Sequence, residues 1–121
     1  RLAQRVMPEK LVFVTDAMRA AGLPDGPSQL GEQDVMVQNG TVRLPNGNLA
    51  GSVLTLDTAL RNAVAAGTPL PQAAALLTHN PARYLGLTDR GLLAPGRRAD
   101  LVVLSPDLHM REVWVAGTRI A

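Results

Sequence analysis

The feature that most constrains this chain is an apolar run, LVFVT at residues 11–15, followed directly by Asp16. A short, uninterrupted run of this kind is typical of a strand covered on both faces, as in a parallel sheet. A complete (β/α)8 barrel requires about 250 residues and does not fit in this chain. The residues before the run look like the end of a helix that continues straight into this strand. The chain has 121 residues and does not begin with methionine. We therefore expect it to be a piece of a longer polypeptide.

Composition excludes several classes of function. The chain contains no cysteine, which excludes disulfides, thiolate metal ligands and a cysteine nucleophile. The net charge is +2, the arginines are scattered, and three aromatic residues are too few for a nucleic-acid stacking surface. No apolar stretch approaches the roughly 20 residues that span a bilayer. We therefore expect a soluble, folded protein that binds neither nucleic acid nor membranes.

The middle of the sequence predicts a loop, a hairpin and a helix. Glycine and proline are frequent over residues 17–33, which predicts a long surface loop. Asn39-Gly40 joins two alternating segments, and this dipeptide is typical of a type I′ hairpin turn. Apolar residues at helical spacing predict a helix over about 53–66, with Ser52 as its N-cap and Gly67 just after its end.

Short helices and then strands are predicted for the remainder. Pro71 indicates the first turn of a second helix. Asn80 and Pro81 are predicted to be the N-cap and first residue of a third helix that ends at Gly86. Residues 91–121 predict strands only, with a hairpin turn at 116–117.

Asp16 is the strongest candidate for chemistry. In parallel α/β architectures, catalytic groups collect at the C-terminal ends of the strands. An ionised carboxylate at the end of a buried strand needs hydrogen-bond donors or a cation. Alternatively, Asp16 caps the following loop through backbone amides. The residues alone leave both interpretations open.

A second candidate is the segment LAGS, residues 49–52, which the sequence places just before a helix. Free backbone N–H groups at a helix N-terminus favour anionic or polar ligands. The alternative is an ordinary helix start capped by Ser52. His79 and His109 are isolated, and the sequence has no HxH, HExxH or acidic cluster, so we expect no metal site on this chain alone.

Three stretches of the sequence resemble the amidohydrolase superfamily: LVFVTDA, THNPARYLGL, and GLLAPGRRADLVVLS leading to VWVAG. The NG hairpin followed by LAGS is similar to the N-acetylglucosamine-6-phosphate deacetylase family. The resemblance implies an α/β fold: the C-terminal fragment of a metal-dependent (β/α)8 barrel hydrolase with the C-terminal strands of its small β-sandwich. Residues 1–90 would supply the last strand, active-site loop, hairpin and helices of the barrel, and residues 91–121 the strands of the sandwich.

The resemblance also implies a reaction. The complete enzyme would hydrolyse the acetamide of N-acetylglucosamine 6-phosphate to glucosamine 6-phosphate and acetate. Asp16 would be the general acid/base, and Leu49, Ala50 and Gly51 would bind substrate. A divalent metal, zinc or similar, would be the cofactor. The family's metal ligands, a glutamate and two histidines, have no counterpart here, so we expect this chain alone to bind no metal and to be inactive.

The partners implied by the resemblance are the amino-sugar phosphate substrate, the missing N-terminal part of the same protein, and further copies in a homo-oligomer. It also implies a cytoplasmic location. Two alternatives stay open. One is another amidohydrolase, either adenine-deaminase-like or dihydroorotase-like. The other is a non-catalytic α+β interaction module in which Asp16 is only a cap.

Overall fold

The computed structural model describes residues 2–121, the side chain of residue 5 excepted, and contains both helices and strands. Two compact units can be distinguished. The middle unit comprises Val14–Ala59, and the terminal unit comprises the residues up to Phe13 together with Leu60–Ala121. None of the helices in the described part of the chain has the length and apolar character needed to cross a bilayer.

An antiparallel four-stranded sheet forms the middle unit. Its strands follow one another in chain order: β1 (Gly26–Leu30), β2 (Gln33–Gln38), β3 (Thr41–Arg43) and β4 (Leu49–Ser52). The predicted hairpin is confirmed, because Asn39 and Gly40 have the positive φ angles, 50° and 72°, that a type I′ turn requires. The prediction of a continuous loop over 17–33 is wrong, because residues 26–30 pair with β2 along their whole length.

One face of this sheet is buried. On β2 the side chains alternate, so that Val35 and Val37 are buried while Met36 is exposed. Val42 on β3 is completely buried beside them. The same cluster includes Met18, Ala20 and Ala50. The middle unit therefore has a core of its own.

The predicted strand at 11–15 is absent from the described structure. Phe13 N donates to Leu76 O at 3.1 Å, and Val14 is 74% exposed. Strand pairing begins only at Ala17, through an isolated parallel bridge to Ser52. The prediction was wrong because a parallel strand needs another strand beside it. Within residues 11–15, the Phe13 amide instead donates its hydrogen bond to the carbonyl of Leu76, a residue of a helix.

Four helices occur in the described structure: α1 (Leu2–Val6), α2 (Leu56–Ala65), α3 (Leu70–Leu77) and α4 (His79–Tyr84). Helix α2 starts later than predicted because Ser52 belongs to β4 and therefore does not cap the helix. Its predicted end is confirmed. Gly67 N donates to Val64 O at 2.8 Å and Thr68 N to Ala63 O at 3.0 Å, the two bonds of a Schellman motif.

The next two helices are confirmed, but one predicted start is wrong. Pro71 lies in the first turn of α3, as predicted. Helix α4 begins at His79, and Asn80 is therefore inside the helix and not its N-cap. The buried amide of Asn80 donates instead to the carbonyl oxygens of Pro8, at 2.9 Å, and Leu11, at 2.8 Å. This arrangement satisfies backbone groups that have no strand to pair with.

A second, three-stranded antiparallel sheet lies in the terminal unit and consists of β5 (Leu101–Leu104), β6 (Met110–Val115) and β7 (Thr118–Arg119). The predicted turn between β6 and β7 is confirmed by positive φ angles of 50° at Ala116 and 79° at Gly117. The apolar cluster of this unit centres on Leu60, Ala63 and Ala73, and Leu104 is the residue of the second sheet that packs against it.

Candidate active site

Asp16 lies in an irregular segment of the middle unit and its side chain is exposed. Its backbone has a φ of 50°, in the left-handed region that aspartate tolerates better than most residues. The two amides that follow it are already engaged. Ala17 N donates to Thr15 Oγ1 at 3.3 Å, and Met18 N donates to Ser52 O at 2.8 Å. These bonds disfavour the interpretation of Asp16 as a cap of the following loop.

The LAGS segment is a strand and does not directly precede a helix, so that prediction was wrong. Residues 49–52 form β4, and Ser52 pairs with Thr41 on β3. The side-chain oxygen of Ser52 accepts a hydrogen bond from Leu54 N at 2.9 Å, but α2 begins only at Leu56. Binding to the free amides of a helix N-terminus therefore cannot be the role of this segment.

The three predicted substrate-binding residues differ in how far they are exposed. Leu49 is 68% exposed, whereas the side chain of Ala50 is buried in the sheet core. Gly51 is exposed and has a φ of 97°. A Cβ added at Gly51 would lie 4.0 Å from Met18 Cβ, which is an ordinary contact. Glycine is therefore favoured here by backbone conformation and not by lack of space.

The structure brings the Asp16 segment and β4 together, although more than thirty residues separate them in sequence. The parallel bridge between Ala17 and Ser52 and the Met18 N to Ser52 O hydrogen bond join the two segments. Asp16 directly precedes Ala17 on one side of this junction, and Gly51 directly precedes Ser52 on the other side. The roles of Asp16 and of Leu49–Gly51 in catalysis and binding stay predictions.

The residues described here do not form a metal centre. No group of three or more histidine, cysteine, aspartate or glutamate side chains within residues 2–121 could hold an ion. His79 is the first residue of α4. His109 Nε2 lies 3.5 Å from Asp107 Oδ2, and both side chains are exposed.

Shifted pKa values occur in the terminal unit. The hydrogen bond from Arg90 lowers the pKa of the Asp89 carboxyl, and Arg90 reaches both of its oxygens at 2.8 Å. The Ser105 hydroxyl lowers the pKa of Asp107 in the same way. Asp89 lies in the chain before β5 and Asp107 in the connection between β5 and β6, and both belong to a different unit from Asp16.

Sequence reasoning missed the residues that hold the backbone around Asp16. Thr15 Oγ1 accepts the Ala17 amide, and the Ser52 carbonyl accepts the Met18 amide. A threonine directly before the aspartate was the available signal, because threonine and serine hydroxyls often accept the amide two residues further on. No pattern along the chain could reveal the Ser52 contact, which joins distant segments.

The comparison with known proteins decides the family. The profile of the Amidohydrolase family matches residues 51–119, more than half of the chain. The chain belongs to the amidohydrolase family. The resemblance found in the sequence is thereby confirmed.

Relatives of this amidohydrolase include named deacetylases. It is 42% identical over 111 residues to the N-acetylgalactosamine-6-phosphate deacetylase of Escherichia coli O157:H7, covering 90% of this chain and 29% of that protein. It is 37% identical over 118 residues to the N-acetylglucosamine-6-phosphate deacetylase of Vibrio furnissii, covering 96% of this chain and 30% of that protein. The chain thus spans less than a third of the length of these two relatives.

A solved structure resembles the amidohydrolase chain closely. It is that of a mutant N-acetyl-D-glucosamine-6-phosphate deacetylase from Mycobacterium smegmatis in complex with N-acetyl-D-glucosamine-6-phosphate. The two share 43% sequence identity and a TM-score of 0.87, over 98% of this chain and 32% of that one. The fold described above therefore resembles that of about a third of this larger solved chain.

Proposed function

We propose that the complete protein is a metal-dependent deacetylase, which hydrolyses N-acetylglucosamine 6-phosphate to glucosamine 6-phosphate and acetate. Relatives with this activity in their names align over most of the chain. The structural observation that carries the proposal is the hydrogen bond between Met18 N and Ser52 O, because it holds the Asp16 segment against β4. A general acid/base and a substrate-binding strand would need this proximity.

In this proposal Asp16 carries the proton. As the water oxygen attacks the acetamide carbonyl carbon, the Asp16 carboxylate takes a proton from the water. The carboxylic acid then gives this proton to the sugar nitrogen as the acetamide C–N bond breaks, which releases the amine and acetic acid. The acetic acid passes its proton to the amine or to solvent and becomes acetate. The exposure of Asp16 suits this task, because its carboxylate must reach a water molecule and a substrate.

Residues 49–51 would contact the sugar mainly through their backbone. The Ala50 side chain points into the sheet core, and Gly51 has no side chain, so both leave the backbone of β4 open to close approach. The exposed side chain of Leu49 would add an apolar contact. This assignment rests on the family resemblance and on the position of β4 beside the Asp16 segment.

The metal and the rest of the barrel would come from outside this chain. A divalent metal supplies polarisation of the acetamide carbonyl and a more acidic water when it is bound. We propose that residues 1–90 complete the barrel and residues 91–121 complete the β-sandwich with the remaining polypeptide. We further propose that the isolated chain is inactive and that the complete enzyme is a cytoplasmic homo-oligomer.

The test is Asp16→Asn in the complete enzyme, assayed with N-acetylglucosamine 6-phosphate and added zinc. Loss of a positioned proton carrier should lower kcat by roughly 10²–10⁴-fold. Metal content and thermal unfolding should stay unchanged. Glu32→Gln, which alters an exposed acidic residue of the same unit, is the control and should keep full activity. Near-normal turnover by D16N would remove Asp16 from this role.

A second candidate substrate is N-acetylgalactosamine 6-phosphate. The relative with the higher identity of the two compared above, 42% against 37%, carries this activity in its name. Comparing kcat/KM for the two epimeric sugar phosphates decides between them. Adenine and cyclic ureides belong in the same assay, because turnover of either would favour an adenine-deaminase-like or a dihydroorotase-like amidohydrolase.

A further inference from the structure

We infer that Thr15 is a positioning residue for Asp16, an inference that rests on the proposed function. Thr15 Oγ1 accepts a hydrogen bond from Ala17 N at 3.3 Å, so the hydroxyl closes a short turn across Asp16. Asp16 sits inside this turn with a φ of 50°. The left-handed region is less favourable than the right-handed one for a residue with a Cβ, aspartate included, so contacts that hold the turn favour this conformation.

A second contact fixes the other side of the turn. Met18 N donates to Ser52 O at 2.8 Å, and Ala17 forms the parallel bridge with Ser52. Met18 itself is buried in the sheet core. The backbone after Asp16 is therefore held by β4, and the Thr15 hydroxyl ties the backbone before Asp16 to this fixed point. The backbone angles between the two contacts set the direction of the Asp16 Cα–Cβ bond and limit the rotamers open to its carboxylate.

The middle unit contains a matched turn with no part in the proposed site. Asn46 Oδ1 accepts a hydrogen bond from Asn48 N at 3.0 Å, which is also a side-chain bond to the amide two residues on. Asn46 is exposed, and its turn lies between β3 and β4. Asn46→Ala therefore removes the same kind of bond from the same unit without touching Asp16.

The experiment compares variants of the complete enzyme with N-acetylglucosamine 6-phosphate and zinc. Thr15→Val keeps the shape of the side chain but loses the acceptor, and should lower kcat about tenfold because the proton carrier is misdirected. KM should change less than twofold, since β4 is left intact. Thr15→Ser restores the acceptor and should restore kcat. Asn46→Ala should match the wild type in both constants.

Each outcome bears on the inference. A kcat for T15V within twofold of wild type overturns it, and so does an equal loss in T15S. A rise in KM without a fall in kcat would assign Thr15 to substrate binding instead, which also overturns it. A crystal structure of T15V gives a second test that is independent of activity. Asp16 should leave the left-handed region, and an unchanged φ would overturn the inference even if the wild-type enzyme proved to have another substrate.

Discussion

The two sheets of this amidohydrolase chain have the same kind of hairpin turn but differ in how deeply their apolar side chains are buried. Each contains a hairpin closed by a turn with two positive φ angles, at 39–40 in the first sheet and 116–117 in the second. The first sheet buries Val42 completely, whereas Val102 in the second is 52% exposed. A correct hairpin therefore does not by itself provide a core.

The difference lies in what covers each sheet. In the middle unit, Met18 and Ala20 pack with the inward-facing residues of the first sheet. In the terminal unit, Leu104 of the second sheet packs against the apolar cluster formed by residues of α2 and α3. Apolar residues on this second sheet that stay exposed include Val102, Val103, Met110 and Val115. This pattern supports the proposal that further polypeptide completes the sandwich.

Among the changes in stability, we expect the largest difference between the two sheets when one valine is truncated in each. Val42→Ala removes two methyl groups from a fully buried position and should lower the free energy of unfolding by about 2 kcal/mol. Val102→Ala, at a half-exposed position, should lower it by less than about 0.5 kcal/mol. Urea unfolding of the 121-residue chain measures both.

The same pair of variants in the complete protein tests whether further polypeptide covers the second sheet. If further polypeptide covers the second sheet, the cost of Val102→Ala should rise towards that of Val42→Ala. Equal small costs for Val102→Ala in both proteins would show that the second sheet stays uncovered, and would contradict the proposed sandwich.

Local elements of this fold could be predicted from the sequence, because their determinants are adjacent residues. Asn39-Gly40 specifies its turn through its tolerance of positive φ, and Pro71 and Gly67 mark helix ends through their own backbone chemistry. Strand 11–15 could not be predicted correctly, because its state depends on partners that the sequence pattern does not identify. The start of α2 was misplaced for a related reason, since pairing with Thr41 keeps Ser52 in β4.

The candidate site was predictable only in part. Asp16 and residues 49–51 stand out in the sequence through the family resemblance, and the structure places their segments side by side. The frame around Asp16 depends on the carbonyl of Ser52, and any residue type can supply a carbonyl. Contacts of this kind leave no signature in side-chain patterns.

A smaller loss of stability is expected when the glycine of either hairpin turn is replaced. This change tests whether the two turns are equivalent although they belong to different sheets. Gly40 has a φ of 72° and Gly117 a φ of 79°, and an added Cβ would meet no closer contact than 4.0 Å at either. Alanine at either position should therefore cost about 1 kcal/mol, from backbone strain alone. Gly40→Asn and Gly117→Asn are the controls and should cost less, because asparagine tolerates this conformation. Unequal losses in urea unfolding would show that the covering of the sheet alters the turn.

The smallest change in stability is expected from breaking the ion pair between Arg90 and Asp89 in the terminal unit, which contains the second sheet. Arg90 lowers the pKa of Asp89 in the folded chain, below the ordinary value of 3.8. The stabilisation is therefore fully present above pH 3.8 and is lost as the pH falls through the lower folded-state pKa. Both side chains are substantially exposed, so the effect should be slight and should weaken further in high salt. Asp89→Asn should lower the urea midpoint slightly at pH 6, and the gap from wild type should close towards pH 2. Glu32→Gln serves as the control for a general loss of negative charge, and a gap for D89N that widens in acid would contradict the assignment.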